Sequence, residues 1–450
     1  MDGNYGYERQ NKDRSTVKVI LTVVIAIVIA VSCFFIGFFS RSCFGSYGSA
    51  SYNWVLSTIE DNYYYYDEFD GGEAKNLSLK AIASKLDKYS EYYTAEEYAA
   101  QIADNGGQKS GIGISYNYVS GKGVYIVSVV GNSPANAAGI RPGDVIVSGT
   151  ADGKVTAFDT SDAFAEFATA RETGEEFVLS TEDSDFTLAK EVYIASYAYM
   201  ATAQTAWEFV SSGDGSGLAL VENRDKAISY LPDGAAYVYL YQFFGTMADE
   251  FGTLMKKFNA ENCTSMYIDL RNNGGGYVTA MQDLAGYFTS SISDKTQVAM
   301  TAKYKSGKQE IYNCYKHNGD SLVPKDTDIY VLANSGTASA SEAFIGVLVS
   351  YNLLEYKNIF ISDYSEEYLD WAGEGVKTAQ TYGKGIMQTT FVNRPTGEAL
   401  KLTTAQIYWP NDKCIHEVAL SEKDGCTLVK ADWTATKGDT ELQRVVEMTK

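Results

Sequence analysis

Ser339, in Ala338-Ser339-Ala340-Ser341-Glu342, follows an apolar strand-like run and precedes a helical pattern. A serine hydroxyl is a weak nucleophile that needs a neighbouring base. The chain of 450 residues holds only two histidines, His317 and His416, so a lysine base is the expectation. Tyr382-Gly383-Lys384-Gly385-Ile386-Met387-Gln388 supplies one. Lys384 can take a proton only as the neutral amine, which burial favours by penalising the ammonium. If a strand follows, Lys384, Ile386 and Gln388 share one face, and Gln388 can orient the amine. Upstream, Asp269-Leu270-Arg271-Asn272-Asn273-Gly274-Gly275-Gly276 puts three glycines between an apolar strand and a helix, where backbone N–H groups can reach a substrate carbonyl. The N–H groups at the Ser339 helix entry would favour a developing oxyanion. In this order the three motifs point to peptide hydrolysis.

Each motif also has a plainer reading. Ser339 and Glu342 fit an S-x-x-E capping box, Lys384 fits a solvated loop, and the glycines fit a flexible turn. A phosphate loop is excluded by the missing GxxxxGK[ST] pattern. Two distant histidines and no HExxH leave no metal ligand set, so no metal and no cofactor are expected.

The elements that would position these residues are legible in outline. A formal charge of −20 excludes a nucleic-acid partner, which would need clustered Lys and Arg. From Val19 to Phe39 the chain runs without a charge, enough for one membrane-spanning helix. Arg9, Lys12, Arg14 and Lys18 precede it and only Arg41 follows before Lys75, so residues 1–18 are expected in the cytoplasm and the rest outside the cell membrane. A cleaved signal peptide, or a lipid-modified Cys33, is the alternative. Ser42 to Ser51 reads as a Gly/Ser tether. Cys263, Cys314, Cys414 and Cys426 lie beyond it without CxxC spacing, which leaves buried thiols or one bridge.

Residues 52–105 carry helical spacing in Trp54, Ile59, Leu79, Ile82 and Leu86, followed by the capping box Thr94-Ala95-Glu96-Glu97. From 106 to 195 the pattern turns to short Gly-punctuated strands, with Ser133-Pro134-Ala135 opening a short helix that Gly139 stops. From 196 to 450 strands alternate with helices, implying an α/β core.

Ser133-Pro134-Ala135 followed by Ala138-Gly139-Ile140-Arg141-Pro142-Gly143-Asp144-Val145-Ile146 resembles a PDZ domain. Gly111-Ile112-Gly113-Ile114 resembles its carboxylate-binding loop, which would hold peptide C-termini by strand addition. Read as isolated residues, those glycines serve only tight turns. Together with the three motifs, with Leu86-Asp87-Lys88-Tyr89-Ser90 and with Tyr239-Leu240-Tyr241-Gln242-Phe243, the chain from Tyr52 to Pro410 resembles the C-terminal processing, or tail-specific, serine peptidases.

The resemblance implies a ClpP/crotonase-like core of mixed sheet with helices and an inserted PDZ domain. It places the nucleophile on Ser339, the base on Lys384, the lysine-positioning glutamine on Gln388, and an oxyanion hole on the N–H groups of Ala340 and of Gly275 or Gly276. It implies protein or peptide substrates taken by their C-terminal tails, and a homo-oligomer is an option. Thr337 and Gly274 depart from the family motifs, and the stretch between Ser339 and Lys384 is longer than usual, with the excess around Asp363 to Gln380. A catalytically inactive protein that holds peptide tails is the competing function.

Overall fold

The computed structural model describes residues 49–450 except 64, 66, 68, 213–216, 367, 370–376 and 432–438. The expected membrane helix at Val19–Phe39, Cys33, and residues 367 and 370–376 of the added stretch lie outside these residues. Among the described residues no helix is long and apolar enough to cross a membrane. The chain divides into two compact units, Met1–Ser78 and Leu79–Lys450. In the first, helix Ser49–Asn62 leaves Trp54 67% exposed, so the helical spacing there does not mark a buried stripe.

The centre of the second unit is an eight-stranded mixed sheet in the order 218–223, 206–211, 198–201, 235–240, 265–269, 328–333, 359–364 and 427–431. The last five strands run parallel, and the first three pair antiparallel. Parallel strands are covered on both faces and read as continuous apolar runs. Here Val238, Ile268, Val331 and Ile361 enter the core shared with helices Met247–Ala260, Val278–Thr289 and Ala340–Ser350. Their neighbours Tyr237, Tyr267, Leu332 and Phe360 face Leu442, Val445 and Val446 of helix Thr440–Thr449. The loops at the carboxyl ends of 265–269 and 328–333 therefore open side by side, the place where α/β sheets hold ligands.

A second, antiparallel sheet stands across this opening. Strand Ala399–Tyr408 pairs with Ile386–Val392, with Val298–Tyr304 and with the short strand Glu91–Tyr93. Residues 91–93 were expected inside a helical segment, but Tyr92 opposite Leu400 gives them a sheet partner far along the chain. Helix Ala95–Asn105 follows, and its capping box forms through Thr94 and Glu97.

Residues 107–195 form an inserted module with a core of its own around Val124, Ile126, Ile146, Phe158, Phe177 and Leu179. Strands Gln108–Gly111 and Glu191–Ile194 pair antiparallel at its neck. Ser133 accepts from the Asn136 N–H at 3.2 Å to start helix Pro134–Ala138, and Gly139, with φ 89°, ends it. Cys263, Cys314, Cys414 and Cys426 are all free, and three of them are buried. Burial pushes the Cys263 and Cys314 thiols up to about 11 and that of Cys426 up to about 12.

Candidate active site

Ser339 stands at the junction of strand Asp328–Ala333 and helix Ala340–Ser350, with φ 59° and ψ −115°. A non-glycine residue in this region is strained and persists only when its surroundings fix it. Thr337, fully buried, donates its hydroxyl to the Leu270 carbonyl at 2.7 Å and accepts from the Asn334 N–H at 2.9 Å. The Asn273 carbonyl accepts from the Ala338 N–H at 3.0 Å and from the Ser341 hydroxyl at 2.9 Å. The serine turn and the glycine run are thus bonded to each other along their length.

Gly275 shows how close they come. A side chain at Gly275 would put its Cβ 2.7 Å from the Ala338 carbonyl and 2.8 Å from both the Ala340 nitrogen and the Ser339 Cβ, and φ there is 94°. Only glycine fits. Of the two oxyanion candidates on this run, the Gly275 N–H is committed to the Asn273 side chain at 3.0 Å. Among the described residues neither the Gly276 nor the Ala340 N–H has a partner, so these two are the pair free to receive a substrate oxygen.

Lys384 reaches the same space from the other sheet. A cavity of about 460 Å³ is lined by Ser339, Ala340, Gly275, Gly276, Lys384 and Gln388, with Tyr93, Phe244, Tyr277 and Met300 among its apolar walls. Burial, with repulsion from Lys401, pushes the Lys384 amine below its usual range. The amine makes no hydrogen bond to Ser339 here. It sits 4.3 Å from the centre of the Tyr89 ring.

Gln388 lines the same cavity as Lys384 and Ile386, as strand alternation implies. The register shift beside it comes from the partner strand, where Thr404 is the extra residue, and the Gln388 amide donates to Thr403 Oγ1 at 3.0 Å rather than to the Lys384 amine. Gly111, Ile112, Gly113 and Ile114 lie in the inserted module and do not line this cavity.

Sequence reasoning took Glu342 for a helix cap and missed its larger part. Its side chain is fully buried, and its two oxygens accept from Thr381 Oγ1 at 2.6 Å, Gly383 N–H at 2.8 Å, Lys384 N–H at 2.9 Å and Ser339 N–H at 3.0 Å. One carboxylate therefore fastens the serine turn to the lysine loop. Burial nevertheless pushes its carboxyl above the usual range against those four bonds. An amide at this position could not accept all four, which leaves a buried donor facing a donor. Ser339 and Glu342 close a capping box, and among the described residues the Ser339 hydroxyl proton is given to no acceptor.

Arg271 was also missed. Its guanidinium bonds Asp269, Asp439 and Glu441, with contacts of 3.0 Å to Asp269, 3.1 Å to Asp439 and 3.0 Å to Glu441. Burial raises Asp439, but the Arg271 charge overrides it and holds that carboxyl below its usual range. Two of the partners, Asp439 and Glu441, lie in a segment whose sequence gives no motif. Among the described residues no cluster of His, Cys, Asp or Glu is placed to hold a metal ion.

Residues 234–355 match the model of peptidase family S41. The chain is 25% identical over 368 residues to a "Probable CtpA-like serine protease" of Staphylococcus saprophyticus, covering 80% of this chain and 62% of that protein. It is 27% identical over 351 residues to a chloroplastic C-terminal processing peptidase of Tetradesmus obliquus, covering 76% and 65%. A Bacteroides fragilis structure assigned to the S41 proteases superposes with a TM-score of 0.53 at 15% identity, covering 88% of this chain and 96% of that one. The fold is that of an S41 peptidase. The S41 match covers residues 234–355, C-terminal processing peptidases are among the relatives the chain resembles, and the chain spans about three fifths of the length of the curated relatives it matches.

Proposed function

We propose that this chain is a membrane-anchored serine endopeptidase that uses Ser339 and Lys384 to cut extracytoplasmic proteins or peptides near their C-terminal tails. The observation that carries it is the single cavity that gathers Ser339, Lys384 and two unengaged N–H groups, on Gly276 and Ala340. The neutral Lys384 amine takes the Ser339 proton as Oγ attacks the scissile carbonyl. The Gly276 and Ala340 N–H groups, with the amino end of helix Ala340–Ser350, stabilise the oxyanion. The same amine, now ammonium, protonates the leaving nitrogen, and water then releases the acyl group by the reverse sequence. Incubating the full chain with a partly unfolded protein, wild type beside Ser339→Ala, tests this, and equal turnover by the two would sink it.

Within this reading residues 107–195 act as a PDZ domain. Strand Ile114–Val119 pairs with Gly123–Val129 on one side and leaves its other edge unpaired, while Ile112 and Ile114 pack into the module's apolar core beside that edge. A peptide strand can add there with its carboxylate at the Gly111–Ile114 loop. Amidating the C-terminus of an apolar-tailed peptide should weaken its binding by about tenfold or more, because the loop then loses a charge-assisted contact. Equal affinity for acid and amide would remove carboxylate capture. The membrane orientation rests on the flanking charges of residues 19–39. Protease added to intact cells should digest everything beyond Arg41, and protection until lysis would reverse the assignment.

A further inference from the structure

Lys384 has its backbone N–H bonded to Glu342, and its amine has no hydrogen-bond partner among the described residues. That amine sits over the aromatic face of Tyr89, 4.3 Å from the ring centre. Tyr89 is held there from several directions. Its N–H donates to Asp87 Oδ1 at 2.9 Å and its hydroxyl donates to Tyr382 at 2.9 Å, while Lys88 bonds the same Tyr382 hydroxyl. The turn itself is pinned to strand Ala399–Tyr408, since Thr403 Oγ1 donates to Asp87 at 3.1 Å and Thr403 N–H donates to Ser90 at 3.1 Å.

The charged groups facing Lys384 come from four places and are already engaged. Asp87 receives Tyr89, Ser90 and Thr403. Glu342, from the serine helix, receives four donors. Lys401, from the opposite strand, is paired with Glu91 at 3.0 Å and Tyr93 at 2.6 Å. Lys88 and Tyr382 are bonded to each other. Among the described residues no hydrogen bond joins a carboxylate to the Lys384 amine, and the π face of Tyr89 is what the cation is offered.

We propose that Tyr89 is a positioning residue for the base: its ring holds Lys384 as ammonium away from Ser339 and releases it on deprotonation, so the ring sets the pH at which the base becomes available. The inference rests on the Ser339–Lys384 reading above and adds a control to it. A neutral amine has no charge to attract it to the ring quadrupole and can turn to the serine hydroxyl. Burial and Lys401 drive Lys384 toward the neutral form, and the ring acts in the opposite direction.

The sign follows directly. A ring that stabilises the ammonium raises the Lys384 pKa, so weakening the ring lowers it and makes the base available at lower pH. The test is kcat/KM against pH for the full chain, comparing wild type with Tyr89→Phe, Tyr89→Leu and a variant carrying 3,4,5-trifluorophenylalanine at position 89. Tyr89→Phe keeps the π face and should leave the midpoint of the rise nearly in place. Tyr89→Leu should move it down by about half to one and a half pH units, the size of a cation–π contact divided by the free energy of one unit. Activity well below the wild-type midpoint should then rise by about three- to thirtyfold.

The fluorinated ring keeps the shape and fills the same space, so its midpoint should also fall even if Tyr89→Leu folds poorly. An unchanged or raised midpoint in both altered variants would overturn the proposal while leaving the dyad intact, provided Ser339→Ala is inactive. Activity in Ser339→Ala would remove the dyad, and this inference with it.

Discussion

Ser339→Ala is expected to abolish cleavage of an unfolded protein substrate, by at least about a thousandfold in kcat, while leaving the fold intact. Loss of a nucleophile that acts together with its base removes the covalent route, and what remains comes from binding and the oxyanion site. The fold should tolerate the change because the most it loses is the hydroxyl's half of the capping box, about 1 kcal/mol. The bonds that fix the turn run through the backbone and Thr337, Ser341 and Glu342, all of which remain. Thermal unfolding should therefore be nearly unchanged beside a lost activity. A mutant that cleaves at a comparable rate would displace Ser339 from the mechanism, and one that unfolds would show that the hydroxyl is structural after all.

Lys384→Arg is expected to be as damaging as loss of the serine, and wild-type activity should rise with pH along one ionisation. Burial, then Lys401, lowers the Lys384 pKa from the ordinary lysine value. Below that lowered pKa the amine is protonated and cannot accept the Ser339 proton. Above it the base is present, so the rising limb lies below the pH at which a free lysine titrates. Arginine fails throughout, because the guanidinium stays protonated over the accessible range. A pH series of kcat/KM on wild type and Lys384→Arg checks both halves. An active arginine enzyme would transfer the role of base elsewhere, with His317 and His416 next to be examined.

How much of this was legible beforehand depended on the range of the interaction. Ser339, Lys384 and the glycine run stood out because their chemistry needs particular residue types at the ends of strands. The α/β alternation from residue 196 and the helix Pro134–Ala138 were legible for the same reason, as local patterns with local causes. Glu342 forms the capping box that S-x-x-E encodes locally, but its other partners Thr381, Gly383 and Lys384 lie 39, 41 and 42 positions away, beyond any local code. Arg271 finds Asp439 and Glu441 across separations of 168 and 170. Strand Glu91–Tyr93 exists through its pairing with residues 399–401 and has too few residues to declare itself. Gln388 shares the cavity with Lys384 as alternation implied, but its amide partner Thr403 lies on a paired strand that local alternation does not name. Helical spacing in 52–105 gave helices, but Trp54, Ile82 and Leu86 are exposed, because periodicity marks a face without naming what covers it.

The clamp on Arg271 bears on when the enzyme can begin to work. Arg271 lies on the glycine-run segment, yet two of its three carboxylate partners are supplied by Asp439 and Glu441. During synthesis, a nascent chain made only as far as the lysine loop already contains Ser339 and Lys384 but offers this arginine Asp269 alone of its three carboxylate partners. Closing a loop of that length is slow compared with local folding. Under the proposed function, cleavage begins only once the polypeptide has passed residue 441, because the segment that carries Gly276 lacks two of its three carboxylate anchors until then.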